Sequence, residues 1–181
     1  MKILGKKGTE KRYQFNKAAL GGFDGYIYGQ TRQPVAGLKY GGGNKKISAV
    51  GCGAAAVYNV MKFIGRYQSF AEVARDCELL SLPFFGGRFG TKTQKLGRYF
   101  NLHGVKYSEF RSCGDFVNAL KACNIAIVCS WNNKITDGIH FYCVYPENGG
   151  YKSLNYRSSD CPCDYSPDVL KPERFIIGYC F

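Results

Sequence analysis

The 181-residue sequence lacks any run of about eighteen apolar residues, the length that a membrane-spanning helix needs. Its first residues, Met-Lys-Ile-Leu-Gly-Lys-Lys-Gly, are basic but are not followed by the apolar stretch of a secretory signal peptide. These two absences predict a cytoplasmic protein without a membrane span, or one exported by a route that the sequence does not display.

Acidic residues are scarce, with 13 Asp and Glu against 25 Lys and Arg, a net charge of +12. Residues 1–46 hold ten of the basic residues against Glu10 and Asp24, a net charge of +8. Such a segment suits contact with an acidic protein, anionic lipid or nucleic acid. Because no recognisable nucleic-acid module accompanies it, a solvated and solubilising arm is the favoured interpretation.

Histidine is also scarce, with two residues, whereas the nine cysteines are an odd number. Without a signal peptide we expect free thiols rather than a disulfide framework. Cys161 and Cys163 form the one close pair, and together with Cys143 and Cys180 they offer four thiol ligands. Their spacing matches no common zinc motif, so a metal site is the less favoured interpretation of these thiols.

The chain is organised around a predicted buried helix that begins near Cys52 and ends at Gly65. Small and apolar residues leave only a narrow polar strip along it: Ala54, Ala55, Ala56, Val57, Val60, Met61 and Ile64. A cysteine in the first turn of a helix faces unpaired backbone N–H groups, which favour the thiolate. Cys52 is therefore a candidate nucleophile, and the alternative is a small buried core residue.

Three more helices and four strands are predicted after this helix. Ser69 and Glu72 form a capping box, residues 91–102 carry one apolar face, and Ser112 or Asp115 is a candidate cap for the last helix. The strands cover residues 125–131, 139–145, 151–157 and 175–180. Helices followed by neighbouring strands predict an α+β fold in which an antiparallel sheet packs on the first helix.

The N-terminal segment is predicted to be different from the rest of the chain. Residues 1–46 contain short apolar pieces broken by glycines and Pro34, which is typical of brief strands or loops that wrap a core. We therefore divide the chain into a basic, glycine-rich segment, residues 1–46, and a domain that contains the candidate nucleophile Cys52, residues 47–181.

His140 is the better candidate for a general base. His103 comes at the end of a short predicted helix, where an exposed or C-capping histidine is ordinary. His140 lies early in the apolar strand Ile-His-Phe-Tyr-Cys-Val-Tyr, where an imidazole needs a hydrogen-bond partner. The alternative is a core histidine that a neighbouring amide satisfies.

A hairpin supplies the partner. If residues 146–149 form a four-residue loop, His140 lies opposite Asn155, whose amide accepts from one ring nitrogen and leaves the other for a thiol. A five-residue loop brings Tyr156 opposite instead, because register fixes every cross-strand pair. Asp160 is the reserve candidate for orienting the ring.

The order Cys52, His140, Asn155 resembles that of papain-like cysteine peptidases. Three stretches also resemble the double-glycine leader peptidase (C39-like) family and its stand-alone bacterial relatives: Gly51-Cys52-Gly53-Ala-Ala, Gly138-Ile-His140-Phe-Tyr-Cys-Val-Tyr and Leu154-Asn155-Tyr. The resemblance covers about residues 47–160. It implies a papain-like fold with N-terminal helices packed on a C-terminal sheet, and a stand-alone cysteine hydrolase that cleaves a peptide or isopeptide bond.

In the implied reaction the Cys52 thiolate attacks the carbonyl, His140 takes up and returns the proton, and Asn155 holds the imidazole. No metal or cofactor takes part, and the partner is a peptide or protein substrate, for which the basic charge suits acidic residues. Acyl transfer or transamidation on the same triad is the alternative reaction.

One departure from the family concerns the oxyanion hole. The family places a glutamine a few residues before the cysteine, and residues 44–51 contain none. Asn44, Lys46 or Ser48 is a candidate replacement for this donor. Losing one oxyanion-hole donor typically costs a factor of about a hundred to a thousand in rate. A catalytically lapsed papain-like protein, which engages an acidic protein or nucleic acid through its basic segment, is therefore the alternative of a different class.

Overall fold

A six-stranded antiparallel sheet with helices on both faces forms the fold. The computed structural model describes residues 6–87, 90–132 and 138–181. The α+β class predicted from the order of elements is confirmed. Along this described part of the chain, no helix combines the length and apolarity needed to cross a membrane.

The described residues form six α-helices: α1 (Lys6–Leu20), α2 (Ile47–Val50), α3 (Cys52–Phe63), α4 (Phe70–Leu79), α5 (Leu96–Leu102) and α6 (Cys113–Ala119). The helix predicted from Cys52 is confirmed, and Gly65 follows it in the left-handed region at φ 72°. The capping box is also confirmed, with Ser69 and Glu72 each bonding the other's backbone N–H. Local capping chemistry therefore marks the end of α3 and the start of α4.

Two short strands, β1 (Lys39–Tyr40) and β2 (Lys45–Lys46), pair with each other just before α2. The large sheet contains β3 (Ser108–Phe110), β4 (Ala126–Trp131), β5 (Ile139–Glu147), β6 (Gly150–Leu154), β7 (Cys163–Tyr165) and β8 (Phe175–Cys180), in the order β3-β8-β4-β5-β6-β7. The four predicted strands are its four longest ones. The three-residue edge strands β3 and β7 were not predicted, because so short a segment has no measurable period.

The prediction of brief strands or loops for the N-terminal segment is wrong over residues 6–20, which form α1. Its buried side chains are mainly polar, namely Thr9, Arg12, Asn16 and Leu20, so no apolar helical period marks it. Arg12 explains why a polar face is buried. Its Nε donates to both oxygens of Glu78 on α4, at 2.8 and 3.0 Å, and an ion pair therefore takes the place of apolar packing.

Two apolar layers cover the two faces of the sheet. On one face, α3, α4 and α5 pack against the odd-numbered residues of β4 and β5, and Ile27, Val35 and Leu38 of the N-terminal segment belong to the same layer. On the other face, Phe116 and Leu120 cover Tyr142 and Val144. The N-terminal segment thus contributes to the layer that contains Cys52.

The expectation of free thiols alone is wrong at one pair. Cys123 and Cys180 form a disulfide with a Cα–Cα distance of 5.5 Å, which falls in the usual range for such a bridge. It joins the end of the 3₁₀ turn (Leu120–Ala122) that comes before β4 to the end of β8, 57 positions apart in sequence. Sequence spacing alone gave no reason to select this pair among nine cysteines.

The predicted hairpin register is also wrong. Glu147 pairs with Gly150, so the turn has two residues, Asn148 and Gly149, both at positive φ (51° and 78°). An Asn-Gly pair favours this tight turn, because both residues tolerate the left-handed region. The ladder ends at Cys143 opposite Leu154, two residues out of the predicted register. Asn155 and Tyr156 therefore do not lie directly opposite His140.

Candidate active site

Cys52 is the first residue of α3, and Gly51 precedes it as the N-cap. The residue is almost completely buried, at 5% exposure. Gly53 follows, and a Cβ at that position would lie 2.4 Å from Oγ1 of Thr91. The first turn of α3 thus accepts no side chain after the cysteine, which fixes the position of the helix start against the loop that contains Thr91.

The Cys52 sulfur faces three backbone N–H groups, those of Cys52 itself, Gly53 and Phe141. These groups lower the pKa of the thiol, as predicted for a helix N-terminus. Burial acts in the opposite direction and dominates, so the pKa of Cys52 lies above its ordinary value of 9.0. Burial therefore opposes the thiolate that the helix start favours, and this environment favours the neutral thiol at pH 7.

The Phe141 N–H is available because β6 leaves the sheet at this point. The last ladder pair joins Cys143 to Leu154, and Asn155 turns away at φ 61°. Beyond this pair the Phe141 carbonyl accepts from Nδ2 of Asn155 at 3.2 Å, while the Phe141 N–H faces the Cys52 sulfur. Where β6 ends, the hydrogen-bond ladder along this edge of β5 is interrupted, and we call this interruption the gap beside β6. The start of α3, β5 and Asn155 meet there.

His140 is next to Phe141 and belongs to the same gap. Its Nε2 hydrogen-bonds the backbone carbonyl oxygen of Asn155. A carbonyl oxygen can only accept, so Nε2 carries the proton and Nδ1 of the neutral ring retains its lone pair. Burial lowers the pKa of His140 below its ordinary value of 6.5, with the Asn155 carbonyl opposing this shift. The imidazole is therefore neutral at pH 7 and holds an unprotonated Nδ1.

The side chain of Asn155 has other partners. Its Oδ1 accepts from the backbone N–H of Gln30 at 2.7 Å, and its Nδ2 donates to Oε1 of Gln30 at 3.2 Å as well as to Phe141. The backbone N–H of Asn155 donates to Tyr28 at 2.9 Å. Four hydrogen bonds thus hold the residue whose carbonyl orients His140, and the predicted side-chain contact with the ring is replaced by a main-chain one.

Gln30 is a residue of the site that the sequence did not reveal. Its Nε2 donates to the carbonyl oxygens of Ile47 and Ser48, at 3.2 and 3.1 Å, in the helical turn just before Cys52. One side chain therefore links this turn to Asn155. Gln30 precedes Cys52 by 22 positions in a loop, and no periodicity or motif marks it.

The other candidates lie elsewhere. Asp160 is exposed and lies 3.7 Å from Arg32, with no contact to His140. His103 caps the C-terminus of α5, as predicted, and stacks on Tyr99. Among the described residues, no hydrogen bond joins the Cys52 sulfur to His140, although both border the backbone of Phe141. The assignment of Cys52, His140 and Asn155 as a catalytic set stays a prediction.

Residues proposed to replace the missing oxyanion-hole glutamine differ in their positions. Lys46 is exposed at the N-terminus of α2. Ser48 is half-buried, and its carbonyl accepts from Gln30. The side chain of Asn44 lies outside what the structure describes. Donors that do border the sulfur are the backbone N–H groups of Cys52, Gly53 and Phe141.

Of the four cysteines considered as metal ligands, Cys161 and Cys163 are neighbours, and the Cys163 thiol donates to the Cys161 carbonyl at 3.9 Å. Cys143 is buried and donates to the Ala56 carbonyl, Cys161 is exposed, and Cys180 is bonded to Cys123. Over the described ranges, no group of three or more His, Cys, Asp or Glu side chains is arranged to hold a metal ion.

No protein-family model matches the chain, and no curated protein matches it significantly. Among solved structures, the fold is similar to that of the peptidase domain of Streptococcus ComA, a bi-functional ABC transporter involved in a quorum-sensing pathway. The two chains are 19% identical with a TM-score of 0.53, and the alignment covers 71% of this chain and 88% of that domain. The resemblance to double-glycine leader peptidases is thereby confirmed at the level of the fold.

Proposed function

We propose that this protein is a cysteine hydrolase of papain-like fold that cleaves a peptide or isopeptide bond. The observation that supports this most strongly is the gap beside β6. There the Cys52 sulfur faces the N–H of Phe141, and the neighbouring His140 has its Nε2 proton bound by the Asn155 carbonyl. A thiol, an imidazole with a free lone pair and a fixed acceptor are the groups that thiol-dependent acyl transfer requires.

In the proposed reaction the resting pair is a neutral thiol and a neutral imidazole. As the Cys52 sulfur attacks the substrate carbonyl carbon, its proton moves to Nδ1 of His140, and the resulting imidazolium is stabilised through Nε2 by the Asn155 carbonyl. The imidazolium then protonates the leaving amine as the C–N bond breaks. Water adds to the thioester with His140 again as the base, which releases the acid and restores the thiol.

The oxyanion in this scheme is stabilised by backbone donors. The N–H groups of Cys52 and Gly53 lie at the first turn of α3 and border the sulfur. Charge that develops on the substrate oxygen also gains from the positive end of the helix dipole. This arrangement uses backbone donors in place of an upstream glutamine side chain. The side-chain amide of Gln30 is not available as a donor, because it already binds the carbonyls of the turn before Cys52.

Similarity to a peptidase domain supports the choice of peptide bonds over other acyl groups. The test is covalent trapping with a peptide aldehyde or vinyl sulfone, followed by intact-mass measurement. We expect one adduct on the wild type, none on Cys52→Ala, and a strongly slowed reaction on His140→Gln. Because Cys161 is an exposed thiol, Cys161→Ser is the matched control and should label like the wild type. Equal labelling of wild type and Cys52→Ala contradicts the proposal.

A non-catalytic binding protein is the second candidate, and the burial of Cys52 with its raised pKa favours it. The two candidates differ in how His140 affects the thiol. In a binding protein, replacement of His140 by Gln leaves the reactivity of Cys52 toward iodoacetamide unchanged at every pH. In a hydrolase, the same replacement slows it, because the thiol loses its base.

A further inference from the structure

A cluster of three cations lies at the start of α5. Lys92, Lys95 and Arg98 are spaced by three residues across a 3₁₀ turn (Thr93–Lys95) and the first turn of the helix, a spacing that brings side chains onto one face. Lys92 and Lys95 are half-exposed, and Arg98 is exposed. Over the described residues, none of the three forms a salt bridge with an acidic side chain.

The three charges are close enough to perturb one another. Lys92 and Arg98 lower the pKa of Lys95, with Lys92 as the largest cause. Like charges held together on a surface repel, so an anion that binds among them relieves an unfavourable interaction as well as adding favourable ones.

The backbone under this cluster is firmly held. The N–H of Lys92 donates to the Leu82 carbonyl at 2.8 Å, and the carbonyl of Thr93 accepts from the hydroxyl of Tyr179 at 2.8 Å. The start of the turn that presents the cluster is therefore tied both to the neighbouring loop and to the sheet.

The cluster is next to the candidate active site. Thr91, the residue before Lys92, contacts Gly53 in the first turn of α3, and its buried Oγ1 has no hydrogen-bond partner within the described part of the chain. Gly53 is one residue from Cys52, and Lys92 is one residue from Thr91. Because consecutive Cα atoms are about 3.8 Å apart, the distance from Cys52 to the start of the cluster is within the length of about four extended residues. The flanking residues of a peptide held at the sulfur are therefore long enough to reach these cations.

We propose that Lys92, Lys95 and Arg98 bind a carboxylate-rich segment of the peptide substrate, beginning within about four residues of the bond that Cys52 attacks. This inference rests on the proposed function and names the substrate class, a peptide with acidic residues on one side of the cleaved bond. The cations raise the association rate by steering and fix the direction in which the peptide lies across the sulfur.

Acidic peptide is favoured over nucleic acid by the size of the cluster and by its connection to α3. Three cations match two or three carboxylates, whereas a nucleic acid usually engages a longer basic stripe. The contact between Thr91 and Gly53 ties the cluster to the helix that presents the thiol, which is where a peptide would lie.

The binding test uses the Cys52→Ala protein, so that no reaction intervenes, and a fluorescent peptide with three Glu residues beside a Gln-substituted twin. We expect the Glu peptide to bind more tightly, and Lys92→Glu with Lys95→Glu to weaken it about tenfold without affecting the Gln peptide. The matched control is Lys121→Glu with Lys171→Glu, two exposed lysines beside the apolar layer on the opposite face of the sheet.

Equal binding of the Glu peptide by the cluster and control variants overturns the proposal. The proposal is also overturned if a single-stranded oligonucleotide of equal charge binds more tightly than the Glu peptide and the cluster variant loses this binding. Covalent trapping of the wild type with electrophilic Glu and Gln peptides separates this inference from the proposed function. If neither peptide reacts at Cys52 but binding depends on the cluster, the hydrolase is rejected and the acidic-peptide site is retained. Reaction at Cys52 at equal rates with both peptides retains the hydrolase and rejects the site.

Discussion

The nucleophile and the base of the candidate site are built in different ways. Cys52 takes its place from a single element, a buried helix of small residues that begins at that position. His140 takes its orientation from three segments: the loop of Tyr28 and Gln30 holds Asn155 at the end of β6, and the Asn155 carbonyl holds the ring on β5. The nucleophile side therefore depends on helix packing, and the base side depends on hydrogen bonds between distant segments.

Because of this difference, substitutions near Cys52 and substitutions near His140 should have different effects. Packing around α3 is close, so damage there should appear as lost stability of the whole fold. The hydrogen-bond assembly lies at the end of β6, so damage there should alter the geometry of the base while the sulfur stays in place.

Removal of either reacting group should have the largest effect. We expect Cys52→Ala to abolish hydrolysis and His140→Gln to lower kcat by a factor of about ten thousand or more, since such groups act as a unit. Both variants should keep the wild-type melting temperature to within a few degrees. Hydrolysis by Cys52→Ala at the wild-type rate would exclude this site.

Gly53→Ala tests the nucleophile side through packing. A Cβ there lies 2.4 Å from Oγ1 and 2.6 Å from Cγ2 of Thr91, so the variant should lose about 1–3 kcal/mol of unfolding free energy. Gly114→Ala in α6 is the matched control, because its added Cβ meets nothing within 4 Å. Chemical denaturation measures both. Partial rescue by Thr91→Ala is expected, and its absence would mean that the contact is not the cause.

Gln30→Ala tests the base side. It leaves the Asn155 amide without its side-chain acceptor, and we expect a loss of about 1–3 kcal/mol in stability with a drop in kcat of about tenfold. KM should change little, since Gln30 does not border the sulfur. The exposed Gln14 gives the control substitution, Gln14→Ala, which should be neutral. A change in KM with unchanged kcat would contradict a role in orienting the base.

The pH dependence should show the smallest effect, a displaced acid limb. Burial lowers the pKa of His140, so the neutral base persists below pH 6.5, and hydrolysis should rise with pH through that lowered pKa. The unfolded chain binds a proton at higher pH than the folded one, so stability should also rise with pH in the window just below 6.5. An acid limb above pH 6.5 in kcat/KM would contradict this assignment.

Local signals in the sequence predicted much of the fold. The helix from Cys52, the capping box at Ser69 and the four longer strands of the large sheet all depend on neighbouring residues. Helix α1 was missed because its buried face is polar and its partner, Glu78, lies 66 positions away from Arg12. Pairing across such distances leaves no periodic trace in one sequence.

The site was predictable to the extent that it depends on residue type and order. Cys52 and His140 were selected on burial and helix chemistry, whereas the partner of His140 required a register, and the tight Asn148-Gly149 turn shifted that register by two residues. Gln30 contacts Asn155 across 125 positions, so only the folded chain reveals it. The raised pKa of Cys52 likewise arises from burial, which the sequence of the first turn does not contain.

The acceptor that orients His140 is a main-chain oxygen, which every amino acid at position 155 possesses. The residue at this position is therefore constrained by the left-handed φ of 61° and by the fit to Gln30, and glycine should serve as well as asparagine for the carbonyl itself. A search for relatives that demands a carboxylate or carboxamide at the third position of the triad would pass over chains in which the backbone alone performs this task.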